Sequence, residues 1–210
     1  MLPKIKSVAL IPRTDKGYLE HCKKMRESKK INSAESIPDR KATISAWMES
    51  SFNQIMGMHY TKVETDIITW LELNRYGSYS RRFKEIDGFF KFENRYILLE
   101  VKSSISKSSF TKGKSQVNSN QELLSNIYPN VAAILVLADC RCFDSEFGYA
   151  IEMVTETTQN GSSYQLVGGL KPPEITNESN KFLWLINESE VTRIADIYGP
   201  PYEIDPSNDF

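Results

Sequence analysis

Between Lys84 and Ser104 the chain reads "KEIDGFFKFENRYILLEVKSS", two apolar runs joined by a polar break at Glu93 and Asn94. Short runs rich in Phe, Ile, Leu, Tyr and Val, bounded by turn residues, predict a β-hairpin. A turn centred between Glu93 and Asn94 pairs Phe92 with Arg95, Phe90 with Ile97 and Asp87 with Glu100, for a loop of either two or four residues. Opposed residues share a face, and faces alternate along each strand. Asp87, Glu100 and Lys102 therefore fall together, with Glu85 opposite Lys102. The other face collects Ile86, Gly88, Phe90, Phe92, Ile97, Leu99 and Val101 and is expected to be core.

Two carboxylates on opposed strand positions lie roughly 4.5 to 5.5 Å apart at Cβ and repel each other unless a positive charge stands between them. A divalent cation relieves that conflict. Oxygen donors without His or Cys favour Mg²⁺, with Mn²⁺ able to substitute, because Mg²⁺ is commonly held by one or two carboxylates alongside waters and phosphate oxygens. Lys102 reaches the same centre, where an ammonium can position or deprotonate a water or balance developing negative charge. The plain alternative is a solvated hairpin face with a Glu85–Lys102 ion pair. Spacing alone leaves both readings open.

The segments around the hairpin alternate helix and strand signals. "PDRKATISAWMESSFNQIMG" predicts an amphipathic helix with Ile44, Met48, Phe52, Ile55 and Met56 on one stripe and Gly57 as its stop. Strand candidates follow at Thr61 to Leu73, Ser80 to Phe92 and Arg95 to Ser103, an antiparallel meander. A serine- and lysine-rich link leads to a helix expected from Ser115 to Tyr128. "NVAAILVLAD" then reads as a strand covered on both faces. Upstream, a strand at Ser7 to Pro12 and a charged helix starting near Asp15 look peripheral. Downstream, a hairpin around Asn160 and Gly161, a strand "KFLWLI" and a helix capped by Ser189 are expected as additions.

At these residues the chain resembles the PD-(D/E)xK phosphodiesterase superfamily, the restriction-endonuclease-like nucleases. The match is Asp87 in "EIDG", then Glu100 and Lys102 in "LLEVK", with Ile86 where the family name has proline. The order of helix, three-stranded antiparallel meander, helix and strand also agrees, over roughly Asp39 to Ala138. The resemblance implies an α/β fold with a restriction-endonuclease-like core, carried by one domain over residues 1–210, with segments 1–38 and 139–210 accessory to it. It implies metal-assisted hydrolysis of phosphodiester bonds, in DNA before RNA. Asp87, Glu100 and the Val101 carbonyl would bind Mg²⁺, and Lys102 would serve the attacking water. Glu49, beside the stripe of the first core helix, would be an added helix acid, and Gln116 or Gln121 a substrate-orienting amide.

The 210 residues, 40% of them hydrophobic, suffice for a buried core and exclude disorder as the main reading. A formal charge of −1 rules out a general polycation, so nucleic-acid contact has to come from local clusters. The most basic window runs from Lys102 to Gln121 and contains Lys107, Lys112 and Lys114, expected as a phosphate-gripping loop assisted by Arg81 and Arg82. Trp47, Trp70 and Trp184 are expected in the core. Cys22, Cys140 and Cys142 lack the spacing of a zinc site, and His21 and His59 are too few and too separated for histidine chemistry.

No apolar run suits a membrane span, and a cytoplasmic protein is expected. Double-strand cutting ordinarily needs two active sites, hence a homodimer or larger assembly, although no segment identifies a dimer surface. The competing function is a non-catalytic module of the same fold that binds nucleic acid or protein within a repair, restriction or mobile-element assembly. A small-molecule hydrolase finds no support, with neither a Gly-x-Ser-x-Gly turn nor a P-loop.

Overall fold

The chain passes from one β-sheet to another at Ile86 and Asp87, and that break organises the molecule. The computed structural model describes residues 5–30, 40–152, 154–155, 163–176 and 180–201. Strands β1 (Ile5–Ile11), β3 (Ile67–Leu73) and β4 (Tyr79–Glu85) form a small antiparallel sheet in the order β1-β3-β4. A second, mixed sheet has six strands. Its members are β2 (Thr61–Lys62), β5 (Gly88–Phe92), β6 (Arg95–Lys102), β7 (Val131–Ala138), β8 (Gln165–Gly168) and β9 (Lys181–Ile186), in the order β2-β5-β6-β7-β9-β8. The fold is α/β with mixed sheets.

The expected meander is therefore divided. Its first strand separates into β2 and β3 and its second into β4 and β5, each pair shared between the two sheets. The physical cause lies in the burial pattern: alternation breaks at the crossing, so Ile86 packs with Phe89 and Leu98 instead of with Phe90 and Val101. The hairpin register itself agrees with expectation, Phe92 opposite Arg95 and Phe90 opposite Ile97, through a two-residue turn with Glu93 at φ 52°. Phe92 is 37% exposed, resting its ring 5.5 Å from that of Tyr60 at the sheet edge.

Helices cover both faces of the large sheet. Helix α2 (Arg40–Gly57) buries Ile44, Trp47, Met48, Phe52, Ile55 and Met56 against Phe90, Ile97, Leu99 and Val101 in one core cluster. Helix α3 (Lys107–Leu124) buries Phe110, Val117, Leu123 and Leu124 against Phe89, Leu98, Ala133 and Leu135 in the other. Strand β7 between them is buried at every residue, as its continuous apolar sequence requires. It runs parallel to β6, with α3 as the crossover. Burying a side chain the size of Phe or Leu contributes roughly 1.5–3 kcal/mol, so these two layers dominate the stability.

Several expected boundaries move. Helix α3 starts eight residues earlier than its apolar spacing suggested, because Ser106 caps it by accepting the Ser109 N–H at 3.1 Å. Helix α4 (Glu188–Tyr198) is capped by Asn187, not Ser189, in a reciprocal box with Glu190. The expected C-terminal hairpin is overturned: residues 151, 152, 154 and 155 are helical, and β8 pairs parallel with β9. Asn160 and Gly161 lie outside the described residues. Trp47 and Trp184 are buried, donating their indole N–H groups to Gly199 and Gly169 carbonyls, and Trp70 packs partly buried against the α3-side core.

Candidate active site at the open end of the hairpin

Regular pairing of β5 with β6 stops at Gly88 opposite Leu99. One residue farther out, the Val101 N–H donates to Asp87 Oδ2 at 2.7 Å, so a carboxylate takes the place of a backbone acceptor. This sets Asp87 against Val101 and near enough for its charge to act on Glu100, whereas the register predicted a directly opposed Asp87–Glu100 pair, one step beyond where the ladder stops. Gly88 is required here: an added Cβ would stand 2.9 Å from Phe90 Cε2 and 3.0 Å from Asn53 Oδ1.

Glu100 is only 1% exposed and forms an ion pair with Lys102, whose side chain is 21% exposed. Lys102 Nζ also donates to the Val101 carbonyl at 3.2 Å. The ammonium thus stands on two of the three oxygens expected to hold a cation. Burial, and next the charge of Asp87, pushes the Glu100 carboxyl up to about 7 against the opposing pull of Lys102. Glu49 on α2 is likewise pushed up to about 7, first by burial and then by Asp87. Asp87 is raised by its own burial, against the Val101 N–H and Lys102. Three acids thus share one poorly solvated region, and Asp87 disfavours ionisation of both glutamates.

Glu85 does not face Lys102, because β4 belongs to the other sheet: it is opposite Ile67, accepts the Tyr18 hydroxyl and lies 3.9 Å from Arg13 Nη2. Sequence reasoning missed a second ammonium, Lys84. Its pKa is lowered by burial, an effect opposed by the nearby Glu100, and it donates to Ser119 Oγ on α3 at 3.3 Å. It also missed Asn53, whose Nδ2 donates to the Glu49 carbonyl at 2.8 Å and to the Asp87 carbonyl at 2.7 Å. That amide braces the helix acid against the hairpin acid. The available signal was its position one helical turn after Glu49, a polar residue flanking an apolar stripe.

Glu49 and Asp87 both line a cleft of about 1200 Å³, together with Ala46, Ser50 and Asn53 of α2. Its other walls come from the turn after β1, from helix α1 (Lys16–Lys30) and from residues 62–64. The N-terminal segment is therefore part of the site's surroundings, not a peripheral addition. Arg13 anchors it through an ion pair to Asp66 at 2.7 Å.

The other expected residues lie elsewhere. Arg81 stands 3.6 Å from Asp15 and donates to Thr69, and Arg82 pairs with Glu72 at 2.7 Å, both on the small sheet. Lys107, Lys112 and Lys114 are on helix α3, not on a loop, since the Ser106 cap draws the whole segment into the helix. Lys107 and Lys112 border a separate surface depression beside Tyr149. Gln116 is partly buried on α3, while Gln121 ties that helix to β7 by donating to the Val131 carbonyl at 2.6 Å.

A hard divalent cation fits the donor chemistry: Asp87, Glu100 and the Val101 carbonyl are all oxygen donors at one end of β6, with Glu49 near enough to feel Asp87's charge. Among the described residues no three His, Cys, Asp or Glu side chains are drawn together as a metal-holding group, so the fit rests on two carboxylates and a carbonyl. A cation bound there would share the Glu100 carboxylate and the Val101 carbonyl with the Lys102 ammonium or displace it.

No protein-family model matches the chain, and no curated protein matches it. Among solved structures it is similar to the crystal structure of protein VC1899 from Vibrio cholerae, with a TM-score of 0.37 and 15% sequence identity. The alignment covers 92% of this chain and 46% of that one, so the chain spans less than half of VC1899's length. Among the described residues no helix is long and apolar enough to cross a membrane.

Proposed function

We propose that the chain is a Mg²⁺-dependent nuclease with a restriction-endonuclease-like core running from α2 to β7, acting on DNA before RNA. The observation that carries this reading is the arrangement at the end of β6: Asp87 bonded to the Val101 N–H, with Lys102 joined to both Glu100 and the Val101 carbonyl. The order α2, antiparallel β5 and β6, crossover α3 and parallel β7 supports the core assignment.

In this reading Asp87, Glu100 and the Val101 carbonyl would hold the cation, with Glu49, whose carboxyl senses the charge of Asp87, as the added acid from α2. When bound, the ion supplies Lewis-acid polarisation of a phosphoryl oxygen and a water of lowered pKa. Lys102 would orient the attacking water and offset charge developing on the phosphate. Asn53 holds the Glu49 and Asp87 backbones at fixed spacing.

The test is nicking of supercoiled plasmid, and digestion of single-stranded DNA and RNA, with Mg²⁺, Mn²⁺ or EDTA. Wild type should cut only with the metals, and Asp87→Ala and Lys102→Ala should not cut. Cutting in EDTA, or by either variant at the wild-type rate, would overturn the assignment.

A second reading, a non-catalytic module of the same fold, is favoured by the Glu100–Lys102 pair itself, which neutralises the buried carboxylate without any metal. Calorimetry with Mn²⁺ separates the two. A binding module takes up no ion and keeps its affinity for nucleic acid or a protein partner when Asp87 and Glu100 are removed.

A further inference from the structure

Helix α1 is fastened at its beginning and exposed over residues 23–28. Tyr18 is buried, its N–H donates to Asp15 Oδ1 at 3.0 Å, and its hydroxyl reaches Glu85 on β4. From Lys23 to Ser28, by contrast, every residue is exposed. Leu19, Cys22, Lys23, Arg26 and Glu27 recur at helical spacing and line the cleft that Glu49 and Asp87 also line. Leu19 is 52% exposed, so it adds little to the core.

Charge divides the cleft by depth. Its acids Glu49 and Asp87 are partly buried, and Asp66 is held by Arg13, whereas Lys23, Arg26 and Lys62 are exposed. Among the described residues no carboxylate forms an ion pair with any of these three cations. Glu27 and Glu64 are exposed carboxylates in the same lining, so the attraction is confined to particular side chains, in keeping with a net charge of −1. Lys23 and Arg26 are one turn apart, with Cβ atoms roughly 5–6 Å from each other, a spacing suited to a repeating anion. At about 1200 Å³ the cleft is larger than the pockets of roughly 300–1,000 Å³ that enclose small ligands, which favours an extended one.

We propose that the cleft-facing side of α1, through Lys23 and Arg26 and joined by Lys62, grips the phosphate backbone of a nucleic-acid strand led past Asp87. The proposal rests on the phosphodiesterase reading of Asp87, Glu100 and Lys102, and it moves the phosphate contact from α3 to the N-terminal helix. The guanidinium and ammonium groups fix the strand's register without reading its bases.

Fluorescence anisotropy tests it, using labelled single-stranded DNA, duplex DNA and single-stranded RNA in EDTA, so that nothing is cut, over about 50 to 200 mM salt. Removing two phosphate contacts in Lys23→Ala/Arg26→Ala should weaken binding roughly tenfold near 100 mM salt and lower the slope of log K against log salt by about 1.4 to 1.8. Lys23→Arg/Arg26→Lys should retain both, and Lys62→Ala should lower the slope by less than one. The probe that shows the largest slope identifies the strand type.

The wild-type slope persisting in the double alanine variant overturns the proposal. So does wild type binding none of the three probes, or a loss confined to Lys107→Ala/Lys112→Ala. Cleavage assays on the same proteins separate the two readings. Cutting that depends on Asp87, with an unchanged salt slope, removes only the α1 contact. A reduced slope, with cutting indifferent to Asp87, removes only the phosphodiesterase reading.

Discussion

The two ends of the β5–β6 hairpin are made from similar sequence and solve the same problem differently. Near the turn, backbone pairs with backbone, Phe90 and Ile97 enter the α2-side core, Phe89 and Leu98 enter the α3-side core, and Lys91 is solvated. At the open end the ladder has stopped, the Asp87 carboxylate receives the Val101 N–H, and Glu100 is buried against an ammonium. Where a strand changes sheets, its neighbour's N–H groups still need acceptors, and a side chain can meet that need. Ionisable groups thereby become part of the framework, and one of them, Asp87, lines the cleft.

The sharpest way to separate the two ends is to change one residue at each. Asp87→Asn should reduce metal-dependent cleavage by about a thousandfold or more, the several kcal/mol that a bound ion supplies to a developing charge, with the fold retained by circular dichroism. Phe90→Ala should do the reverse. It should cost about 3–5 kcal/mol of stability in urea denaturation, through the cavity it leaves against α2, while Mn²⁺ affinity of the folded fraction stays near wild type. If Phe90→Ala selectively abolished metal binding, the division between a structural and a chemical end would fail.

Asn53→Ala probes the brace between them. Leaving the Asp87 carbonyl without its donor should cost about 1–3 kcal/mol in the same denaturation assay. It should also shift the pH profile of cleavage, because the spacing of Glu49 and Asp87 is no longer fixed.

The smallest effect concerns pH. Glu49 and Glu100 have folded-state values near 7 against an ordinary 4.5, so the folded protein binds their protons more tightly than the unfolded chain does. Their contribution to stability is complete below about pH 4.5 and is lost as pH rises through about 7. In EDTA, the Tm of wild type relative to Glu49→Gln should therefore fall by a few degrees across that window, and Mg²⁺ should restore part of the loss. A relative Tm that climbed through the window would contradict the shared burial of these acids.

Much of this arrangement was legible in the residues. The turn at Glu93 and Asn94 set the register from Phe92–Arg95 to Gly88–Leu99, and with it brought Asp87 near Glu100. The stripe from Ile44 to Met56 and the unbroken run of β7 likewise set two layers of the core. Expectations that cross Ile86 do not hold, nor do those that depend on a single cap. Alternation continued through Ile86 pairs Glu85 with Lys102, but the chain abandons it there, and nothing local in "KEIDG" marks a change of sheet. Serines and a glycine in the basic window read as a loop and hide the helix that carries its lysines, since the start of that helix depends on one capping hydroxyl.

The sequence by itself determined which residues meet within one hairpin, because side-chain period and turn position are local properties of the backbone. Tertiary structure alone decided that Glu49 and Asn53 of α2 stand beside Asp87, that Lys84 lies near Glu100, and that α1 walls the cleft. Those meetings depend on how the two sheets and their helices pack, and packing is set by the shapes of surfaces distant in sequence.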